Sequence, residues 1–317
     1  MTPHGLLGSD PQRRRYDSLL DMIGDADAPT PLVALTRVAP PSSTLYAKLE
    51  WMNPFGSVKD RTARWLLESM ERRGELAGKT IVEPTSGNTG IAIAGIARLL
   101  GHPAIVVVPH TMPHEKTVLI EALGAQVVRT LPESPMHPMD AAIEIAEQLV
   151  AESPELYVMP NQYANLDNPR AHYETTGPEI WAQTGGRIDY LFAGFGTTGT
   201  ITGAGRYLRE RNPDIRIVAI EPVAGHHISG LKNLEETSVP GVLDRSVIDD
   251  VVHVDDDETA AMTRRLHAEE VLLAGASSAA VVAGATKWLA SNGAEGIGVA
   301  VLPDSSQKAI GYLQSVL

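Results

Sequence analysis

The stretch Asn53-Pro54-Phe55-Gly56-Ser57-Val58-Lys59-Asp60-Arg61 joins an apolar run at 45–49, which reads as a strand, to a segment at 62–70, which reads as a helix. Asn-Pro and Gly-Ser mark a turn. Lys59 therefore falls where a loop becomes the first turn of a helix. An ammonium there meets the positive end of the helix dipole, which disfavours its charged form. An amine that attacks a carbonyl must be neutral, and a free lysine with a pKa of about 10.4 mostly is not. The plain alternative is a surface lysine paired with Asp60 or Glu68. What decides between them is the company Lys59 keeps along the chain.

Outward from this stretch the pattern is regular. Apolar strand-like runs at 32–35, 80–82, 104–108, 126–129, 157–159, 190–193, 215–220 and 298–302 alternate with helix-like segments. Those segments are 90–100, 115–123, 139–152, 171–184, 201–211, 258–270 and 277–290. Strands that alternate with helices and are apolar on both faces imply a parallel α/β architecture. A short helix is expected at 16–24, a surface loop at 131–138 and a domain seam near 157–168. The acidic run Asp255-Asp256-Asp257 lacks the glycine and distal Glu of a calcium loop and reads as a helix cap.

With 317 residues the chain has room for about two domains. Its 26 basic against 39 acidic residues give a net charge of −13, a field that repels nucleic acid and anionic membrane. The absence of cysteine excludes disulfides and thiolate chemistry. No apolar run approaches the ~18 residues of a membrane span, and 1–10 lack the features of a signal peptide, so a cytoplasmic protein is expected.

Two strand-to-helix turns carry further chemistry: Glu83-Pro84-Thr85-Ser86-Gly87-Asn88-Thr89-Gly90 and Gly194-Phe195-Gly196-Thr197-Thr198-Gly199-Thr200. Each offers backbone N–H groups, hydroxyls and glycines at a helix N-terminus, which is an anion site. Neither contains Lys or Arg, so dipoles and hydrogen bonds rather than a cation are expected to hold the anions. One lysine with two anion cradles is the inventory for a phosphorylated aldehyde cofactor and an amino-acid carboxylate. The second turn also matches G-x-G-x-x-G, with Glu221 ending the next strand, which is the dinucleotide fingerprint. Against a nicotinamide enzyme stand its place two thirds along the chain, the lack of a hydride-transfer constellation after it, and the unexplained Lys59 and Thr85–Gly90 turn. Gln162 lies in a loop after a strand, and Ser305 follows the last strand, where α/β sites form. His226-His227 lacks a third ligand and His114-Glu115 lacks the second His of a zinc-protease helix, so no metal site is expected.

These segments resemble the cysteine synthase and cystathionine β-synthase group of fold-type II pyridoxal-phosphate enzymes. The likeness rests on Ser57-Val58-Lys59-Asp60-Arg61, Thr85-Ser86-Gly87-Asn88-Thr89-Gly90, Gly196-Thr197-Thr198-Gly199-Thr200 and Pro303-Asp304-Ser305, with Thr30-Pro31-Leu32-Val33 ahead of them. Together they span nearly the whole chain in family order. The resemblance implies two three-layer αβα domains with mainly parallel sheets, like the tryptophan synthase β chain. It implies a smaller mobile domain at 45–157, a larger domain from 16–44 and 158–317, and a flexible tail at 1–15. It implies pyridoxal 5'-phosphate on Lys59 as a Schiff base, with Lys59 later serving as acid and base. Asn88 then meets the ring hydroxyl, Gly196 to Thr200 (Gly196, Thr197, Thr198, Gly199, Thr200) the phosphate, and Ser305 the pyridine nitrogen. Thr85, Ser86, Thr89 and Gln162 hold the substrate carboxylate.

The implied activity is β-replacement on an O-activated L-serine, with sulfide giving L-cysteine, in a homodimer. The alternatives are condensation of serine with homocysteine, a dinucleotide oxidoreductase, and a catalytically silent binding homologue. Pro29 and Ala279 depart from the family's usual Asn and Gly, and an added methyl at Ala279, if near the cofactor, is expected to tilt its ring or narrow the pocket. The segment Ser229-Gly230-Leu231-Lys232-Asn233-Leu234-Glu235 resembles the phosphoserine-dependent branch. Lys232 is then the expected partner of a phosphate leaving group, against the alternative that it pairs with Glu235 or Glu236 at the surface.

Overall fold

The structure, a computed structural model, describes residues 15–134 and 136–316. The expected tail lies outside them apart from Arg15. The strands are β1 (Leu32–Leu35), β2 (Ser43–Leu49), β3 (Thr80–Pro84), β4 (Ala104–Val108), β5 (Gln126–Arg129), β6 (Tyr157–Val158), β7 (Tyr190–Gly194), β8 (Arg216–Pro222), β9 (Asp250–Val254) and β10 (Gly296–Leu302). The helices are α1 (Lys59–Arg72), α2 (Asn88–Leu100), α3 (His114–Ala122), α4 (Pro138–Glu152), α5 (Asp167–Ala171), α6 (Gly177–Gln183), α7 (Gly199–Arg211), α8 (Asp256–Glu269), α9 (Ala276–Ser291) and α10 (Ile310–Val316). A π-helical turn, His172–Thr176, joins α5 to α6.

Two sheets form. The smaller has the order β5-β4-β3-β6 and is parallel throughout. The larger has the order β1-β2-β10-β7-β8-β9, parallel except for the edge strand β1. Each is covered on both faces. Leu67, Ile93 and Ile120 of α1, α2 and α3 pack on one side of the smaller sheet, and Ala142 and Ala146 of α4 on the other. Leu266 and Val281 of α8 and α9 cover one face of the larger sheet, and Ile180, Ile201 and Leu208 of α6 and α7 the other. Burial on both faces is why the strands read as continuous apolar runs.

Three expectations need correction. Residues 45–49, assigned from sequence to the smaller domain, belong to β2, which pairs with β10 from Ser43↔Gly296 to Leu49↔Leu302. Leu45 and Ala47 are fully buried, so β2 needs neighbours on both sides and finds them only in the larger sheet. The expected helix at 16–24 is a single 3-10 turn, Leu19–Met22, capped by Ser18. β9 gave no strand signal because the acidic residues Asp249, Asp250 and Asp255 frame its short apolar run. The Asp255 run is a capping box: Asp255 Oδ1 accepts from Glu258 N at 2.7 Å and Glu258 Oε2 from Asp255 N at 3.1 Å.

The C-terminal ends of β7 and β10 and the segments that follow β2, β3 and β8 line a common cleft, where parallel α/β proteins place their sites.

Candidate active site

Lys59 is the first residue of α1, and its helix is fixed from three sides. Val58 N donates to Pro303 O at 2.9 Å, Lys59 N to Ser57 Oγ at 3.2 Å, and Asp60 Oδ2 accepts from Phe55 N at 2.6 Å. Phe55 packs its ring against Gly95 of α2, where any Cβ would overlap it. The Lys59 side chain is half-buried and lines the cleft. Burial pushes its pKa down to about 8, against the raising influence of Asp304 and Glu50. Desolvation, more than the helix dipole invoked from sequence, thus makes the neutral amine accessible. The neighbouring Asp60 is pushed the other way, up to about 7, by the same burial.

The turn after β3 brings Thr85, Ser86, Asn88 and Thr89 into the cleft. Gly87, at φ +154°, precedes α2, and Thr85 Oγ1 accepts from its N–H at 3.1 Å. Gln162 reaches this turn from the loop after β6. Its Oε1 accepts from Thr89 Oγ1 at 2.7 Å, and its Nε2 donates to Pro84 O at 3.3 Å. The carboxylate of Glu83 anchors that loop by accepting from Asn161 N at 2.9 Å and Gln162 N at 3.1 Å. Burial pushes the Glu83 carboxyl up to about 7. Asn88 Nδ2 donates to Asp304 Oδ2 at 2.7 Å, while its buried Oδ1 has no partner among the described residues.

The turn after β7 places Gly196, Thr197, Thr198 and Thr200 in the cleft wall at the start of α7. Thr198 has φ +67°, a conformation that L residues other than Asn and Asp rarely adopt. The glycines of the G-x-G-x-x-G pattern have local reasons. A Cβ on Gly196 would lie 2.8 Å from Gly230 O, and one on Gly199 would overlap Asn168 of α5. Glu221 is also spoken for: it is buried, and its Oε1 accepts from Leu234 N at 2.7 Å, fixing the 229–235 loop. The dinucleotide reading therefore loses its acidic ribose partner.

In that loop, Lys232 N donates to Phe195 O at 2.6 Å. The Lys232 Nζ lies 4.2 Å from the centre of the Tyr163 ring, facing the cleft. Burial lowers its pKa, opposed by Asp140. No ion pair to Glu235 or Glu236 forms among the described residues; Glu236 Oε1 accepts instead from Gly225 N at 2.9 Å. His227 pairs with Asp256 at 2.9 Å and His226 Nδ1 accepts from Ile228 N at 3.0 Å. No cluster of metal-binding side chains occurs among the described residues.

Ser305 does not line the cleft. It is buried behind it, in a bridge to Ala274, and Asp304 occupies the wall. The hydroxyl that does reach the wall is Ser277, whose Oγ donates to Asp304 Oδ1 at 3.3 Å. Ala279 is buried inside α9 and away from the wall, so its methyl does not crowd the cleft. A second residue carried no sequence signal. Lys116 of α3 is only 5% exposed, lines the cleft, and lays its chain against Gly87. The carboxylate cradle thus has a lysine beside it after all, brought from a helix that the sequence marked only as helix-like.

Residues 23–304 match the pyridoxal-phosphate dependent enzyme family. The chain belongs to this family. Cysteine synthase B of Pseudomonas aeruginosa is 41% identical over 271 residues, 85% of this chain and 88% of that protein. A cystathionine beta-synthase of Apis mellifera is 40% identical over 306 residues, 91% of this chain, and the chain spans 60% of its length. Among solved structures, O-ureido-L-serine synthase superposes with a TM-score of 0.84 at 40% identity, covering 93% of this chain and 94% of that one. A cysteine synthase from Entamoeba histolytica superposes with a TM-score of 0.87 at 29% identity, covering 96% and 91%. The cofactor of a pyridoxal-phosphate dependent enzyme fits the cleft on two observations. The orphaned Asn88 Oδ1 calls for a hydroxyl donor. The turn 196–200 presents backbone N–H groups and hydroxyls at the start of a 13-residue helix, which suits a phosphate.

Proposed function

We propose that the protein catalyses β-replacement on an O-activated L-serine, using sulfide to form L-cysteine. The observation that carries this reading is one half-buried lysine of lowered pKa facing two helix N-termini, α2 and α7, across a single cleft. Thr85, Ser86, Thr89 and Gln162 bind the substrate carboxylate, with the Thr89–Gln162 bond opening to receive it. Asn88 orients the ring through its free Oδ1, and Gly196 to Thr200 hold the phosphate. The neutral hydroxyl of Ser277, rather than Ser305, faces the ring nitrogen. When bound, pyridoxal 5'-phosphate supplies the electron-withdrawing ring that acidifies the substrate's α-proton. Lys59, as a neutral amine, takes that proton at Nζ. The test is direct: holoenzyme with its visible cofactor band is mixed with sulfide and either O-phospho-L-serine or O-acetyl-L-serine, and cysteine is assayed. A yellow holoenzyme that yields no cysteine from either donor would sink this reading.

O-phospho-L-serine is the preferred donor. A phosphate leaving group brings about −1.5 to −2 charges, and Lys232 lines the cleft with no carboxylate partner among the described residues. Lys232→Ala should lower kcat/KM for the phosphorylated donor by about 10- to 100-fold and leave the acetylated donor nearly unchanged. Equal losses for both, or a wild type faster with acetylserine, would refute the role.

The protein is further proposed to work as a cytoplasmic homodimer whose smaller sheet, with its helices, closes on the larger once carboxylate is bound. In support, no described helix is long and apolar enough to cross a membrane. The substrate carboxylate site also draws Thr89 from one lobe and Gln162 from the seam. Solution scattering reads both points: a monomeric mass, or a radius of gyration that donor leaves unchanged, contradicts them.

A further inference from the structure

Asn168 is fully buried on α5 and does not line the cleft, yet it touches three of the segments that build it. Its Nδ2 donates to Gln162 O at 2.8 Å and to Thr197 Oγ1 at 3.1 Å. Its Oδ1 accepts from Thr62 Oγ1 at 3.1 Å, on the first turn of the helix that Lys59 opens. Both amide donors are used, so neither can be released without leaving a buried N–H unpaired. The fit is tight as well. Gly199 must lack a side chain to clear the Asn168 carboxamide, and Gly203 to clear Pro169 O of the same helix. Small displacements at one end of such a contact are therefore passed on rather than absorbed.

The geometry points to Asn168 as a positioning residue that couples the substrate-carboxylate site to the cofactor-phosphate loop. Gln162 holds Thr89 and Pro84 through its side chain and Asn168 through its backbone carbonyl. When a carboxylate takes the place of the Thr89 bond, Gln162 shifts. Its carbonyl then draws the Asn168 amide, and the amide draws Thr197 in the phosphate loop. Coupling of this kind is reciprocal: a well-seated phosphate also readies Gln162 for its carboxylate. The inference rests on the carboxylate and phosphate sites proposed above.

Propionate tests it, because it has the carboxylate but no amine to join the cofactor. In wild-type holoenzyme, propionate should perturb the visible cofactor band and also move the 31P resonance of the bound phosphate. In Asn168→Ala the band should still respond, at about 5- to 100-fold higher propionate, while the 31P resonance stays put. Thr197→Val cuts the same link from its other end with Asn168 in place, and should likewise silence the 31P response. If either variant shows the full wild-type 31P shift at saturation, the coupling is wrong. If propionate leaves the wild-type band unchanged at every concentration, the carboxylate site itself is wrong and the coupling falls with it. A purely structural Asn168 would lower the melting temperature and keep the 31P shift.

Discussion

Lys59→Ala should reduce turnover by about 10³-fold or more while the chain still folds. The side chain faces the cleft and makes no hydrogen bond among the described residues, so its loss strands no partner. Stability moves in the favourable direction. Burial lowers the lysine pKa to about 8, so below that pH the ammonium is less comfortable folded than unfolded. Apoenzyme carrying Lys59→Ala should therefore melt no lower than wild type at pH 7. The lowered pKa also predicts how the apoenzyme takes up its cofactor. With a pKa of about 8, roughly a tenth of the lysine is neutral at pH 7, which is roughly 200-fold more than for a free lysine. The rate of appearance of the visible band should climb about tenfold per pH unit up to roughly pH 7, more slowly through pH 8, and then level off. A rate that keeps climbing through pH 10 means the lysine is not desolvated, and a Lys59→Ala variant that retains turnover removes the assignment altogether.

The alternation of apolar strands and helices was legible because both faces of each sheet are covered, so the strands carry no polar alternation to confuse the pattern. The lysine and glycine turns were legible because their residues are adjacent in the chain. What stayed hidden depends on contacts between distant residues. β2 joins the larger sheet through β10, about 250 residues away, and nothing local to 43–49 announces it. Lys116 and Ser277 enter the wall because α3 and α9 start at the right depth, and a lysine or serine in a first helical turn has many ordinary reasons to be there. The direction of the Lys59 shift follows from sequence, but its main cause, desolvation in the folded cleft, is tertiary. The glycines show the limit most plainly. Their spacing suggests a dinucleotide, whereas Gly196 is small because Gly230 O lies over it and Gly199 because Asn168 of α5 lies on α7. A spacing rule cannot tell a glycine that faces a ligand from one that faces a helix.

Arg61→Met should cost about 3–5 kcal/mol of stability and lower the melting temperature by on the order of 10 °C. Arg61 is fully buried two residues beyond Lys59. Its Nε and Nη2 donate to Glu50 at 2.6 and 3.0 Å, its Nη2 and Nη1 to Glu179, and its Nη1 to Gly24 O at 2.6 Å, while Thr30 Oγ1, 3.0 Å from Nη2, shares one of that nitrogen's two hydrogens. Lys48 meets Glu179 at 2.6 Å. Without the guanidinium, two buried carboxylates share one lysine. Arg61→Lys keeps the charge but not the fork that serves both carboxylates, so it should recover only part of the loss. The pH dependence identifies the cause. Burial alone would raise the Glu50 pKa, but Arg61, with Lys48 and Thr30, outweighs it and holds the carboxyl at about 2. Because that folded pKa is depressed, the stabilisation is fully present above the unfolded value near 4.5 and is lost as pH falls toward 2. In Arg61→Met the buried Glu50 instead binds a proton readily, so the variant gains relative stability as the pH drops. Denaturant melts should show the widest gap between wild type and variant near pH 7, closing toward pH 3. A gap below about 1 kcal/mol, or one that does not change with pH, shows that the network is not what holds α1 in place. A closing gap ties Lys59 to it, since the helix that Arg61 anchors begins with the lysine that carries the chemistry.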